Sequence, residues 1–377
     1  MKIQNKRVII NRFAVNIFSN SMNSKKDRHF SKNLLLWDSQ LNKRLMPWKG
    51  EKDPYKIWLS EIILQQTRVD QGMEYYKRYI KKYPTIKKLA AAPETEVFKL
   101  WEGLGYYSRC KNLIATARFI ADELDGKFPD TYGSILKLKG IGPYTAAAIA
   151  SFAYNLPYAV VDGNVMRVLA RYFGISTAID SSAGKEYFSS LANRLLAKNE
   201  PALYNQAIMD FGATVCKPQL PLCSQCVLKK ECTAYQENAI EKYPVKENKL
   251  VKKERWFYYV VVSYRNAYVV KKRTGKDIWQ NLHEFILIEE NKQVDIKKIL
   301  SGNAFKKIAG ENHELVSISK KYKQQLTHQT IQGYFIHIRS GKKIVAEGYE
   351  LMGKSEMSQL AFPKFITTWF EDEKGIF

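Results

Sequence analysis

Apolar residues recur at three- and four-residue intervals from about Leu34 to Tyr235. The clearest runs are YKIWLSEIILQQT, TEVFKLWEGLG, NLIATARFIADEL, TYGSILKLKG, TAAAIASFAY and NVMRVLARYF. That interval gathers apolar side chains on one helical face, and Gly or Pro separates several of the runs. No unit of roughly 20 to 50 residues repeats, so a solenoid is excluded. Further on the grammar changes: WFYYVVVSYR and AYVVKKR are short, β-branched and aromatic, and Asn266 between them predicts a hairpin. GYFIHIR, with Tyr334, Ile336 and Ile338 alternating, predicts a third strand.

The pattern predicts a helical domain over 33–235, a charged linker over 236–254 containing KYPVKENKLVKKE, and an α+β domain over 255–377. The first 32 residues hold eight Lys or Arg and one acid, Asp27. They lack the continuous apolar core of a secretory signal and have poor periodicity, so they read as a disordered basic tail. Met22 is a second candidate start within this stretch.

Composition narrows the function. Apolar residues make up 45% and aromatics 13%, which rules out wholesale disorder. Sixty basic against 37 acidic residues leave a net charge of +23. A polyanion relieves such self-repulsion, so nucleic acid or an anionic membrane surface is the leading partner class. No run approaches the roughly 20 apolar residues of a spanning helix, so an integral membrane protein is excluded; the expected partner is DNA and no membrane.

Four of the five cysteines crowd into 17 residues, and Cys110 stands apart. A secreted disulfide scaffold would spread them, whereas crowding suits one metal centre in a reducing compartment. Cys216, Cys223, Cys226 and Cys232 can enclose a tetrahedral zinc or a cubane iron–sulfur cluster. A single CxxC flanked by single cysteines better matches wrapping around the larger object.

LKGIGPYTAAAIASFAY reads as helix, Gly-x-Gly turn, helix, with Gly140 and Gly142 in the turn and Pro143 at the first helical position. Such a turn aims backbone N–H groups at an anion, here a DNA phosphate. In VVDGNVMRVLARYF, Asp162 falls where an N-cap sits. A cap alone explains it, but helix amides also keep a carboxylate ionised, as a cation-stabilising or nucleophilic group requires. Glu61 has Ile57, Trp58, Leu64 and Gln65 as helical neighbours, so it is either a snorkelling surface residue or a proton donor in apolar surroundings. A protonated acid paired with an ionised carboxylate is the arrangement of glycosidic cleavage.

LSEIILQQT, WEGLGYYSR, LKGIGPYTA, VVDGN and the C-x6-C-x2-C-x5-C loop together resemble MutY-type adenine DNA glycosylases of the endonuclease III, helix–hairpin–helix superfamily. The likeness is dense over about residues 40–235 and thinner beyond. It implies a mainly α glycosylase fold with an iron–sulfur loop, followed by an α+β Nudix-like lesion-recognition domain. It implies that Glu61 protonates adenine and handles the water, that Asp162 stabilises or captures the sugar cation, and that Tyr144 and Asn164 position these two. Leu64, Gln66, Thr67, Leu104 and Tyr106 match elements inserted into DNA around the oxidised guanine, and Trp48 matches an active-site aromatic. The cysteines would hold a [4Fe-4S] cluster.

Glycosylases of this superfamily that also nick the strand carry a lysine where this chain has Tyr144. A phenol cannot form the Schiff base, so a hydrolytic, monofunctional enzyme is expected. GKDIWQNLHEF resembles the family's WxxLxEF stretch, and no Glu-rich metal-binding box accompanies it. Leu326, Thr327 and His328 replace the family's usual Phe-Ser-His, retaining a hydroxyl and an imidazole. The expected partner is double-stranded DNA with adenine opposite 8-oxoguanine, and the expected state is a cytoplasmic, nucleoid-associated monomer. The rival readings are an endonuclease III-like lyase on oxidised pyrimidines and a non-catalytic iron–sulfur DNA-binding protein.

Overall fold

Ser24 accepts a hydrogen bond from the Asp27 amide at 3.1 Å and starts helix α1, Lys25–Leu41. The computed structural model describes residues 24–247, 252–344 and 347–373. Phe30, Leu34 and Trp37 lie on one side of α1 and are buried, the first two completely. Residues 24–32 therefore belong to the fold and not to a tail, and residues 1–23 lie outside the described residues. Lys and Arg dominate this stretch and mask its short apolar stripe, which draws α1 into the core.

Eleven more helices follow among the described residues of this region: α2 (Pro54–Leu64), α3 (Val69–Lys82), α4 (Ile86–Ala90), α5 (Glu94–Trp101), α6 (Tyr107–Glu123), α7 (Tyr132–Leu136), α8 (Pro143–Tyr154), α9 (Gly163–Phe173), α10 (Ser182–Leu195), α11 (Pro201–Thr214) and α12 (Thr233–Gln236). Contacts divide the chain into two units. The first gathers the N-terminal part through Trp58, Pro129–Lys137 and Ile141–Asn248. The second gathers Leu59–Phe128, Leu138–Gly140 and Lys249–Phe377. The helical region expected as one domain is thus shared, with α3–α6 joining the C-terminal sheet.

In the first unit, α1 contributes Phe30, Leu34 and Trp37 to a core with Val165, Val168, Leu169 and Tyr172 of α9. Trp37 meets Phe211 of α11 edge to face at 5.0 Å. The stretch expected as a linker packs here too. Ala239 is buried, the Ile179 amide donates to the Val245 carbonyl at 3.0 Å, and Glu247 N donates to Asp180 Oδ1 at 3.0 Å. High charge hid this docking, because backbone groups and a few apolar side chains make it.

The second unit's sheet has the order β3-β2-β1-β7-β5, with β4 on β1, β6 on β7 and β8 on β2. The strands are β1 (Lys253–Tyr264), β2 (Ala267–Lys272), β3 (His283–Glu284), β4 (Ile286–Glu290), β5 (His313–Ile318), β6 (Tyr322–Gln325), β7 (Gln329–Ser340) and β8 (Glu350–Gly353). The expected hairpin joins β1 and β2 through Arg265 and Asn266, both at positive φ (47° and 62°), as a two-residue hairpin turn of type I′ requires. β7 runs parallel to β1 from Gln329 opposite Lys253 to Arg339 opposite Ser263. Gly333 permits this approach: a Cβ there would lie 1.8 Å from the Phe257 carbonyl oxygen. Four helices, α13 (Ile296–Ser301), α14 (Asn303–Ala309), α15 (Lys354–Ser358) and α16 (Lys364–Asp372), accompany the sheet. Trp369 of α16 stacks on Phe335 of β7 at 4.6 Å. Among the described residues no helix is long and apolar enough to cross a membrane.

Candidate active site and cysteine loop

Gly142 caps α8 and Pro143 occupies its first turn. Gly140, at φ +78°, makes the turn before it, where a Cβ would lie 2.7 Å from Asn112 Cβ. Gly140 and Gly142 are exposed, so the amides of the turn and helix start can meet an anion. Tyr144 is half-buried, with its hydroxyl 4.0 Å from the Met209 sulfur of α11.

Asp162 is the N-cap of α9. Its Oδ1 accepts from the Val165 amide at 2.8 Å and its Oδ2 from Asn164 Nδ2 at 2.7 Å. Asn164 is held in turn, its Oδ1 accepting from Arg167 Nη2 at 2.8 Å. Arg167 also donates to the carbonyls of Gly212, at 2.7 Å, and Cys216, at 2.8 Å. Burial lowers its guanidinium pKa from the usual arginine value. The cap and the oriented carboxylate are therefore one arrangement, tied to α11 and the cysteine loop.

Trp48 is half-buried on a segment fixed by Asp210 of α11. Asp210, wholly buried, accepts from Arg44 Nη1 at 2.9 Å, Lys49 Nζ at 3.1 Å, Asn42 Nδ2 at 2.9 Å and Gln206 Nε2 at 3.0 Å.

Glu61 belongs to the second unit, near the end of α2, and is only 6% exposed. This favours the buried reading over the snorkelling one. After α2 the chain turns at Gln66, exposed and at φ +53°, and Thr67 N donates back to the Leu64 carbonyl at 3.1 Å. A second turn holds Gly103, Gly105 and Tyr106 at φ +87°, +75° and +47°. Tyr106 is 40% exposed, whereas Leu104 is 5% exposed, so Leu104 is placed in the interior and not at the surface where DNA insertion would need it.

Arg109 of α6 fastens both turns. Its Nη1 donates to the carbonyls of Ile62, Ile63 and Gln65 at 2.8, 2.9 and 2.7 Å. Its Nη2 donates to Thr67 Oγ1 at 3.3 Å and to the carbonyls of Leu104 and Gly105 at 3.4 and 3.2 Å. Burial lowers its pKa to about 10, so it stays charged at neutral pH. In the same unit, Leu326, Thr327 and His328 form the β6–β7 turn, closed by Leu326 N donating to the Gln329 carbonyl at 2.8 Å. His328 is exposed, and the Thr327 hydroxyl shares a hydrogen bond with the Tyr106 hydroxyl.

Cys216, Cys223, Cys226 and Cys232 line one pocket with Arg171, Val215, Leu222, Lys229 and Tyr235. Among the described residues no group of three or more His, Cys, Asp or Glu is placed to hold a single metal ion. Arg171 Nη1 lies 3.6 Å from Cys216 Sγ and donates to the Lys217 carbonyl at 2.7 Å. Burial pushes the Cys226 thiol up to about 12. Cys110 is fully buried in the other unit.

Arg109, Arg167, Arg171 and Asp210 escape the sequence reading. Asp210 and Arg171 left one signal, a charge set among apolar residues of a helical run.

Residues 59–194 match the model of the HhH-GPD superfamily of base excision DNA repair proteins. The chain is 37% identical over 256 residues to an adenine DNA glycosylase of Buchnera aphidicola from Schizaphis graminum, covering 68% of this chain and 74% of that one. It is 34% identical over 309 residues to that of Buchnera aphidicola from Baizongia pistaciae, covering 80% and 84%. The mouse adenine DNA glycosylase is 43% identical over 216 residues, covering 55% of this chain and 42% of the mouse protein. A thermostable thymine-DNA glycosylase aligns with TM-score 0.53 and 30% identity over 56% of this chain and 98% of its own. Endonuclease III in a non-covalent DNA complex, at TM-score 0.50 and 21% identity over 58% and 99%, shares the fold. The motifs, the hairpin and the extent of this likeness lead to one assignment: the chain belongs to the adenine DNA glycosylase family of helix–hairpin–helix base excision repair proteins.

Proposed function

We propose that the protein removes adenine paired with 8-oxoguanine, flipping it from the duplex and hydrolysing its N-glycosidic bond without cutting the strand. The observation that carries this reading is the Tyr106–Thr327 hydrogen bond. It joins two segments, distant in sequence, that were each assigned to the oxidised guanine. Thr327 supplies a hydroxyl in place of the usual serine, and exposed His328 stands beside it. Among the DNA-facing assignments, Gln66, Thr67 and Tyr106 are retained over buried Leu104.

In this reading Glu61 donates a proton to adenine, so the base departs neutral. Its low exposure keeps competing water away until the base has left. The Asp162 carboxylate offsets the positive charge that develops on the sugar, and the Val165 amide and Asn164 hold it in place. Tyr144, unable to form an imine, leaves an abasic strand. Flipping a mispaired base costs less than flipping a paired one, which adds selectivity. The exposed Gly140–Gly142 turn receives backbone phosphate.

The four cysteines line one pocket, and four thiolates are the donor set of a [4Fe-4S] cluster, so they would hold one there. Bound there, the cluster would supply four iron–thiolate bonds closing the loop. Arg171 would offset its negative charge. The C-terminal domain is read as Nudix-like and devoted to the lesion, and the enzyme as a monomer of the bacterial cytoplasm.

Single-turnover assays on duplexes with adenine opposite 8-oxoguanine, guanine or thymine, and on one with an oxidised pyrimidine, test this directly. Adenine release is expected fastest opposite 8-oxoguanine, leaving alkali-labile but uncut strands. Release of the pyrimidine with strand cleavage, and no adenine release, would replace the reading with a lyase. Tyr144→Lys should make the enzyme trappable on DNA by borohydride where the parent is not. The purified protein should be brown and contain iron and sulfide; an active, colourless protein with one zinc per chain would refute the cluster.

A further inference from the structure

We propose that Arg109 is a positioning residue that couples contact at the oxidised guanine to the helix carrying the proton donor. The inference rests on the functional reading above and extends it to a residue with no assigned role.

The C-terminal domain grips the 102–106 turn at both ends. Glu102 Oε1 accepts from the Phe362 amide at 2.8 Å, and Lys99 Nζ bridges Glu102 Oε2, at 2.8 Å, and the Leu360 carbonyl, at 2.9 Å. At the far end Tyr106 holds Thr327. Between these grips the turn has three residues, Gly103, Gly105 and Tyr106, at positive φ and little regular structure of its own, so outside contacts set its shape. Trp101 Nε1 donates to the Gly105 carbonyl at 3.0 Å, fixing the turn to α5.

Arg109 is the next link. Its guanidinium lies 5.4 Å from the Tyr106 ring centre and 5.2 Å from that of Trp101. One edge binds the Leu104 and Gly105 carbonyls, and the other binds those of Ile62, Ile63 and Gln65. Ile62 and Ile63 directly follow Glu61 on α2. A planar, forked cation can hold two backbone segments in fixed relation, which the point charge of lysine cannot. A shift of the 104–106 turn on meeting 8-oxoguanine is thereby passed to the last turn of α2.

Single-turnover adenine release opposite 8-oxoguanine and opposite guanine is compared for the parent, Arg109→Lys, Tyr106→Phe and the double variant. Arg109→Lys should slow release opposite 8-oxoguanine on the order of tenfold to a hundredfold, the scale of a small misplacement at a reacting centre. Release opposite guanine should fall less, so the preference shrinks. The double variant should be no slower than Arg109→Lys alone. Equal losses on both substrates, or multiplicative losses in the double variant, would overturn the coupling.

Amide exchange on Tyr106→Phe gives a readout independent of activity and of whether the Arg109 variant folds. Loss of the Thr327 contact should speed exchange in residues 62–67 as well as 104–107. Faster exchange confined to 104–107 refutes the coupling. A parent enzyme with no preference for 8-oxoguanine would instead refute the lesion reading, whatever the exchange result.

Discussion

Asp162 and Arg109 occupy opposite ends of helices in the two units. Asp162 meets the free amides at the start of α9, and Arg109 meets the free carbonyls at the end of α2. Each charge complements the helix end it faces, negative at the amino end and positive at the carboxyl end. They differ in reach. Asp162 is satisfied within three residues, by Val165 and Asn164, whereas Arg109 gathers carbonyls 44 to 47 residues earlier in the chain. The first is a local device that holds one carboxylate. The second is a tertiary device that holds two turns.

The local device should be the easiest to disable. Asp162→Asn keeps the cap, since asparagine caps a helix as well as aspartate does. Loss of the charge should cut base release by roughly a hundred- to a thousandfold. Gel-shift binding to the mismatch should persist. Near-normal turnover would reduce Asp162 to a cap and dissolve the contrast.

Arg167→Met tests whether the local device depends on the guanidinium that holds Asn164. It removes charged hydrogen bonds to Asn164, Gly212 and Cys216, worth about 1.5–3 kcal/mol each in favourable cases. A clear fall in thermal midpoint, with lower iron content, is expected. Asn164→Ala should be milder, lowering single-turnover release on the order of tenfold through a less fixed carboxylate. Unchanged release would mean that the Val165 amide alone orients Asp162.

Thr327→Val should have the smallest effect. It removes one neutral hydrogen bond, about 1 kcal/mol, and should trim the preference for 8-oxoguanine about fivefold, read as the ratio of release rates opposite 8-oxoguanine and guanine. A larger loss, matching that of Arg109→Lys, would place the hydroxyl directly on the lesion.

The same distinction between local and distant partners explains what the sequence reveals. Helices α2, α6, α8 and α9 were legible because their apolar spacing is a property of adjacent turns, as were the β1–β2 hairpin and the Gly-x-Gly turn. Four cysteines within 17 residues announce a shared pocket. Helix α1 was missed before residue 33 because eight basic residues in the leader outweigh Phe30 and Leu34 in any composition-based reading. Asp210 and Arg109 were invisible as organisers, since their partners lie up to 168 residues away and are largely backbone atoms or common polar side chains. Burial of Leu104 was equally unreadable, because the turn that turns it inward is held by Tyr75, Trp101 and Arg109 from other elements.

The grip on Glu102 uses only main-chain atoms of the C-terminal domain, the Phe362 N–H and the Leu360 carbonyl. The joint itself therefore does not depend on which side chains stand at these two positions, although Phe362, buried and stacked on Phe285, is fixed by its own packing. A domain attached through its backbone can change in its loops while staying in register with the helices it holds. Substitutions in those loops would leave the mounting untouched.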